Sequence, residues 1–216
     1  MNPLYTSIVF GTSFLVLALT LAKVKILKLL ALLLIISQIF CLAHIFSNQS
    51  SQVVWLCNVV VFMQIFLLFK FNQKMFDVSF FFAWTGCFLI CFMPNNPYAV
   101  MLRLNPFFWV SYWIKHIIPL ILPIYFCHVK KKKLSRWSIY TGAAFFLVYC
   151  AFVYLYNLTL NENIFYLMKP APFMAALGPY YFLIAVILGY FWFSTLYVVA
   201  NILGWVKSKK EEKVSH

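Results

Sequence analysis

Long apolar stretches separated by short polar segments make up almost the whole chain. Seven of them hold few or no charged residues, at 4–22, 29–47, 53–69, 78–93, 107–129, 138–157 and 179–205. In lipid, backbone N–H and C=O groups must be satisfied within the segment itself, so apolar runs of this length form helices. The pattern therefore predicts an all-α membrane protein. We expect a single seven-transmembrane-helix bundle over residues 1–206, followed by a basic cytoplasmic tail at 207–216.

Composition supports this class of protein. The 216 residues are 65% hydrophobic and 10% charged, whereas soluble domains are about 25% charged. The segment before the first apolar run carries no basic residue, and no small-residue cleavage site follows it. A cleavable signal peptide has both features, so we expect the first span to be retained.

Basic residues are distributed unevenly between the two predicted sides. Fourteen of the 17 follow the first, third, fifth and seventh spans, including KKKK at 130–133. Loops rich in Lys and Arg stay cytoplasmic, which predicts an external N-terminus and a cytoplasmic C-terminus. The basic residues that give the net charge of +13 then contact anionic lipid head groups on the cytoplasmic side and so hold the helices in this orientation. We expect no nucleic-acid partner. We expect a multi-pass protein of a bacterial plasma membrane.

The six cysteines all lie within predicted spans. They form neither a disulfide framework nor a zinc motif, and we expect no cofactor and no bound metal. A metal site built from His44, Cys57 and His116 is conceivable, but no ligand pair at helical spacing supports it.

Two ionisable residues stand side by side within the fifth span, in YWIKHIIP. Ionisable side chains inside a membrane span are costly and usually functional, so Lys115 and His116 are candidate site residues. The alternatives are a lysine that extends to the membrane surface or pairs with a carbonyl, and a histidine that only packs. Helical spacing places Tyr112 and His116 on one face, with Lys115 about 100° away.

Depth along the helices suggests a partner for the histidine. At the helical rise, His116 lies ~21 Å above Lys130, and Cys57 lies ~20 Å above Lys70. A thiol and an imidazole at one level can form a nucleophile and its base. Cys87, Cys150 and Ser194 come out near the same depth. His44, ~24 Å above Lys28, is a further candidate for this site.

The outer connections carry aromatic and basic residues of interest. A segment of more than twenty residues between the last two spans mixes apolar and polar groups, and we expect it to fold onto the outer membrane surface. Lys169 in this segment is suited to a phosphate group. We also expect an interfacial layer that roofs a lipid-accessible cavity, formed by Trp109, Tyr112, Tyr166, Tyr180 and Tyr181.

Four segments, taken in order, resemble a known family: WLCNVVVFMQIFLLF, FFFAWTGCFLICFMPNN, WVSYWIKHIIPL and NENIFYLMKPAPFMAALGPYYFL. They are similar to the YwaF-like integral membrane family, which includes the animal transmembrane protein 164. The resemblance runs from about the second span to the end of the chain, and its most specific part lies around Tyr166, Lys169 and Pro170.

The resemblance implies an activity and a catalytic pair. The animal member is associated with an acyltransferase that builds polyunsaturated ether phospholipids, with a membrane cysteine and a downstream histidine as its catalytic residues. On this chain those positions are Cys57 and His116. Two positions depart from the family: Trp55 stands where a histidine is usual, and Pro94-Asn95 stands where Pro-Asp is usual.

Two functions follow from these observations. The first is a membrane-embedded phospholipid acyltransferase that uses Cys57 and His116 near the outer leaflet, with Tyr112, Lys115, His44, Tyr166 and Lys169 as substrate-binding residues. The second is a non-catalytic lipid-binding or transport-associated membrane protein that uses the same outer cavity without covalent chemistry.

Overall fold

The computed structural model describes residues 27–47, 54–88, 106–169, 176, 178 and 180–208. The described part contains six α-helices and no strand, which confirms the all-α prediction. The helices are α1 (Leu27–Ser47), α2 (Leu56–Phe69), α3 (Gln73–Phe82), α4 (Pro106–His128), α5 (Ser138–Leu160) and α6 (Tyr181–Ile202). The first predicted span, 4–22, lies outside the described residues.

Three of these helices are long and apolar enough to cross a membrane, at Val110–His128, Ser138–Leu160 and Leu183–Ile202. Leu29–Ala43 and Leu56–Phe69 are shorter apolar helices. The chain separates into two compact units, residues 1–133 and 134–216. The prediction of one domain over residues 1–206 stays a prediction.

Helix ends follow the local sequence. Pro106 opens α4, where its missing N–H costs nothing and its fixed φ suits the first turn. The Asn72 side chain caps α3 by accepting a hydrogen bond from the Met75 N–H at 3.0 Å. The fourth predicted span therefore begins as a helix at residue 73 rather than 78. Asn161 ends α5 in the left-handed conformation, with φ of 54°, which asparagine tolerates better than most residues.

A buried amide ties α2 to α4 in the first unit. Pro123 has no N–H to give to the carbonyl of Pro119, four residues earlier. The Gln64 side chain of α2 makes up this deficit, because its Nε2 donates to the Pro119 carbonyl oxygen at 2.9 Å. In an apolar interior an unpaired carbonyl is costly, so this contact fixes the two helices against each other.

The basic ends of the first unit lie together. Phe71 follows α2, and its ring centroid is 5.9 Å from that of Phe126 in the last turns of α4. The Lys132 ammonium lies 4.6 Å from the centroid of the Phe71 ring. The basic segments after α2 and α4 therefore occupy one end of the unit. The predicted topology places both segments on the cytoplasmic side, and it therefore requires them to lie at the same end of the unit.

The second unit is a pair of antiparallel helices. Near the start of α5, the Arg136 carbonyl accepts from the hydroxyl of Tyr197 in α6 at 3.1 Å. Past the other end of α5, the Leu167 carbonyl accepts from the hydroxyl of Tyr181 at 3.2 Å. Both helices leave most of their large apolar side chains exposed. Helices that are apolar on all sides suit a lipid environment.

A π-helical turn, Ala83–Cys87, follows α3 and packs against the start of α2. A Cβ added at Gly86 would lie 3.1 Å from Cγ and Cδ2 of Leu56. Leu56 is buried, so it has little room to move, and overpacking of this kind costs about 1–3 kcal/mol. We therefore expect Gly86→Ala to lower the thermal unfolding temperature of the purified protein in detergent.

The control for this substitution is Gly189→Ala. Gly189 also lies in a helix, but a Cβ there meets nothing within 4 Å. We expect an unchanged or slightly raised unfolding temperature, because alanine favours helices over glycine. Equal effects of the two substitutions would contradict the close packing of Gly86 on Leu56.

A double-mutant cycle tests the contact between α2 and α4. Gln64→Leu should destabilise the protein by about 1 kcal/mol, because the Pro119 carbonyl loses its donor. Pro123→Ala restores a backbone N–H that can reach this carbonyl within the helix. We expect Pro123→Ala to recover stability in the Gln64→Leu background and not in the wild type, as measured by thermal unfolding. Additive effects would show that the two residues do not serve the same carbonyl.

Candidate functional site

A polar cluster lies inside the first unit, where α1, α2 and α4 meet. Lys115 Nζ of α4 donates to Asn58 Oδ1 of α2 at 2.8 Å. Gln38 Nε2 of α1 donates to the same oxygen at 3.3 Å. Lys115 and Asn58 are only 4% and 1% exposed. Lys115 therefore points into the helix bundle and does not extend to the membrane surface. We call Gln38, Asn58, Lys115 and His116, together with Cys41 and Cys57, the polar cluster.

His116 is completely buried, with 0% of its surface exposed. Its Nδ1 lies 2.7 Å from the carbonyl oxygen of Tyr112. A carbonyl can only accept, so Nδ1 carries the hydrogen, and in the neutral ring Nε2 keeps the lone pair. Nε2 has no hydrogen-bond partner among the described residues. A buried acceptor without a partner costs about 1–3 kcal/mol, so among the described residues this nitrogen is left open to a further group such as a bound ligand.

The ring of Tyr112 holds the histidine from one side. The two ring centroids are 4.3 Å apart, as the spacing of four residues on one helix allows. Tyr112 is buried. The ring therefore lies inside the unit and packs against His116, and its place in an interfacial aromatic layer stays a prediction. The neighbouring side chain of Trp109 lies outside the described residues.

Cys57 lies in the first turn of α2 and is buried. It precedes Asn58, the partner of Lys115, and Lys115 precedes His116. It also lies seven residues, or about two turns, before Gln64, and therefore on the same face of α2. That face meets α4, because Gln64 donates to the Pro119 carbonyl. The two residue pairs Cys57-Asn58 and Lys115-His116 thus lie at one level. A direct contact of Cys57 with His116 stays a prediction.

Electrostatics at this level favour negative charge. The first-turn N–H groups of a helix point along its axis without intrahelical acceptors, and they carry the positive end of the helix dipole. Cys57 occupies this position on α2. Cys41 of α1 interacts electrostatically with both Cys57 and Lys115. A thiolate or another anion here would therefore have a cation and a helix N-terminus near it.

The cluster as described in the first unit contains no other predicted site residue. Tyr166 and Lys169 belong to the second unit, and both are exposed. Tyr166 has φ of 55°, an uncommon conformation for a bulky residue. Asn163 orders the segment, because its Oδ1 accepts from the N–H groups of Met168 and Lys169, each at 3.0 Å. His44 lies in α1, but its side chain is outside the described part of the chain.

The sequence analysis missed three residues. Gln38, Asn58 and Gln64 are buried amides that connect helices of the first unit. Each lies inside a predicted apolar span, and this is the signal that could have identified them. Within hydrocarbon a carboxamide needs partners almost as much as a charged group does.

Among the described residues, no group of three or more His, Cys, Asp or Glu side chains could hold a metal ion.

Comparison with known proteins identifies the family of the chain. No curated protein and no solved structure matches the chain. Residues 3–197 match the TMEM164 family, over the described helices and the polar cluster. This match confirms the resemblance seen in the four sequence segments. The chain is an integral membrane protein of the TMEM164 family.

Proposed function

We propose that the protein is a membrane-embedded lipid acyltransferase, with Cys57 as nucleophile and His116 as general base. The observation that carries this proposal is a fully buried histidine whose Nε2 has no partner among the described residues and whose other ring nitrogen donates to the Tyr112 carbonyl. A general base needs this arrangement: one nitrogen fixed by a hydrogen bond and the other carrying a lone pair that no hydrogen bond engages. Membership of the TMEM164 family supports the proposal.

The reaction would proceed in two balanced steps. His116 Nε2 takes the thiol proton of Cys57, and the sulfur attacks the carbonyl carbon of a fatty-acyl ester of a phospholipid. The ester C–O bond breaks, the lysophospholipid alkoxide takes the proton from His116, and an acyl thioester remains on Cys57. The hydroxyl of an acceptor lysophospholipid then gives its proton to Nε2 and attacks the thioester carbonyl. The C–S bond breaks, and the proton returns to the sulfur.

The surroundings of Cys57 suit this chemistry. An isolated buried thiol is unreactive, because the charged thiolate is poorly solvated. The positive end of α2 and the amino group of Lys115 would stabilise the thiolate as it forms. Trp55, which stands where the family usually has a histidine, precedes α2 as its N-cap residue without a side-chain hydrogen bond to the cap. In this proposal His116 is the general base, and Trp55 supplies no second imidazole.

Substitution of the pair tests the proposal. Cys57→Ala should reduce acyl transfer between a phospholipid and a lysophospholipid in proteoliposomes to background. His116→Ala should reduce it by at least about 100-fold, the contribution of a general base. In the wild type, mass spectrometry should find a hydroxylamine-sensitive acyl group on Cys57. His116→Ala should lack this adduct or form it far more slowly.

The matched control is Cys127→Ala. Cys127 is another buried cysteine of the same unit, eleven residues beyond His116 and thus ~17 Å along α4. We expect this variant to retain full activity and the adduct. Full activity in Cys57→Ala would rule out the thioester mechanism. Lipid binding without any acyl adduct in the wild type would instead favour the non-catalytic lipid-binding function.

The proposed topology is seven transmembrane helices with the N-terminus outside. One observation of the first unit supports it: α2 and α4 run in the same direction. Asn58 contacts Lys115, and Gln64, further along α2, contacts Pro119, further along α4. Two parallel spans require a return crossing between them, and α3 with the residues after it occupies this place in the chain. The cluster of basic residues at one end of the unit fits a cytoplasmic face.

Reporter fusions test this topology. Reporters placed after residue 50, 100 or 165 should read as external, and those placed after residue 26, 133 or 212 as cytoplasmic. The reason is the excess of Lys and Arg in the connections after the odd-numbered spans. A cytoplasmic signal from the fusion at residue 100 would overturn the assignment. We propose the plasma membrane of a bacterium as the location, and the natural host of these fusions is therefore a bacterial cell.

A further inference from the structure

The buried amino group of Lys115 has no carboxylate partner in its own unit. Residues 1–133 contain one acidic residue, Asp77. Asp77 Oδ1 accepts from Gln73 Nε2 at 2.9 Å, and the same nitrogen donates to the Lys133 carbonyl at 2.9 Å. Asp77 therefore lies at the basic end of the unit. Lys115 is thirteen residues before the end of α4, which is ~20 Å from that end.

Among the residues that the structure describes, no acidic side chain is paired with Lys115. Besides Asp77, the chain has only three acidic residues, Glu162, Glu211 and Glu212. Glu162 is exposed, whereas Lys115 is buried. Glu211 and Glu212 lie in the basic tail, outside the described residues. A lysine held at this depth by neutral amides is costly unless an anion or an acid joins it.

Unpartnered acceptors accompany this donor. Gln38 donates to Asn58 through Nε2, and its own Oε1 has no hydrogen-bond partner among the described residues. His116 Nε2 is unpartnered in the same sense, and His116 interacts electrostatically with Lys115. The polar cluster thus presents one strong donor and two buried acceptors. A ligand that both accepts and donates would satisfy it.

We propose that the polar cluster binds the carboxyl group of a long-chain fatty acid, with one carboxyl oxygen on Lys115 Nζ and the acid group beside His116. A carboxylic acid has both an accepting oxygen and a donating O–H, and so matches the donor and the acceptors of the cluster. When it ionises, its proton passes to His116 Nε2, an acceptor of the cluster without a partner among the described residues. The resulting carboxylate is the counter-charge that the unit lacks.

Depth distinguishes a carboxyl group from a phosphate. Lys115 lies nine residues into α4, ~14 Å from the start of the helix. A fatty acid can reach this level as a neutral acid and exchange its proton there, so that no net charge has to cross hydrocarbon. A phosphodiester is permanently charged and brings its head group with it. A carboxyl group therefore fits the site at lower cost than the phosphate of an intact phospholipid.

The site would serve acyl transfer, because it holds the carboxyl carbon of an acyl chain at the level of Cys57. This role rests on the proposed function, whereas fatty-acid binding does not. The same amino group and helix N-terminus would face the carbonyl oxygen of an acyl ester, where negative charge develops during attack by sulfur. Fatty-acid binding can therefore be measured in a protein that cannot perform the reaction.

The experiment uses full-length protein carrying Cys57→Ser in lipid nanodiscs, with radiolabelled oleic acid as probe. We expect saturable binding that Lys115→Met weakens at least tenfold. Methyl oleate, which lacks the acid group, should compete poorly with oleic acid. Lys74→Met is the matched control, because Lys74 is an exposed lysine of the same unit. This control should bind oleic acid as the parent protein does.

A second variant keeps the test decisive if Lys115→Met does not fold. Asn58→Asp preserves the shape of the side chain and supplies the missing carboxylate within 2.8 Å of Lys115 Nζ. We expect this variant to fold stably and to lose oleic acid binding, because its own carboxylate occupies the amino group. Unchanged oleic acid binding in both variants would overturn the site. Preferential binding of lysophosphatidic acid that depends on Lys115 would overturn the carboxyl assignment in favour of phosphate.

The two proposals fail separately. Oleic acid binding that depends on Lys115, with no acyl adduct on Cys57 in the wild-type protein, would leave the site in place and end the thioester mechanism. An acyl adduct on Cys57, with oleic acid binding that is unchanged by substitution of Lys115 and Asn58, would support the thioester mechanism and overturn the fatty-acid site.

Discussion

In the interior of this helical unit, one hydrogen bond determines much of what surrounds it. Lys115 Nζ and Asn58 Oδ1 are 2.8 Å apart and almost inaccessible. Neither group can turn to water, so each requires the other, and the requirement fixes α2 against α4 at one level. Gln38 brings α1 to the same oxygen. Cys57 precedes Asn58 and His116 follows Lys115 in the chain. The hydrogen bond between Lys115 and Asn58 therefore places Cys57 and His116 at the same level, although neither takes part in it.

Irregular backbone accompanies the polar cluster on two sides. Pro119 and Pro123 interrupt the hydrogen bonds of α4 after His116, and Gln64 supplies the missing donor for one freed carbonyl. The π-helical turn at Ala83–Cys87 packs Gly86 on Leu56, the residue before Cys57. π-turns and proline interruptions are frequent at functional sites, where geometry is set for chemistry rather than for regular hydrogen bonding. Here they border the polar cluster.

Hydrophobic patterning predicted the described helices and identified the Lys115-His116 pair as candidate site residues, but it did not predict their partners. The described α4, at residues 106–128, matches the predicted span 107–129 almost residue for residue. The sequence pattern did not identify Asn58 and Gln38 as partners. A helix that is apolar on every side has no hydrophobic periodicity, so the pattern does not show which face packs against which neighbouring helix. The contact of the Tyr112 ring with His116 was not predicted either. An aromatic residue near a helix start also suits an interface, so its type alone does not show which neighbour it packs against.

The tautomer of His116 tests the central claim most directly, because the proposed chemistry depends on a neutral ring with Nε2 unprotonated. Solid-state NMR of ¹⁵N-histidine-labelled protein in bilayers distinguishes the two ring nitrogens. The His116→Asn variant identifies the signals among the four histidines of the chain. The structure predicts a neutral His116 that carries its hydrogen on Nδ1, donated to the Tyr112 carbonyl. A His116 protonated at Nε2, whether as the other tautomer or as an imidazolium, would contradict its role as a resting general base.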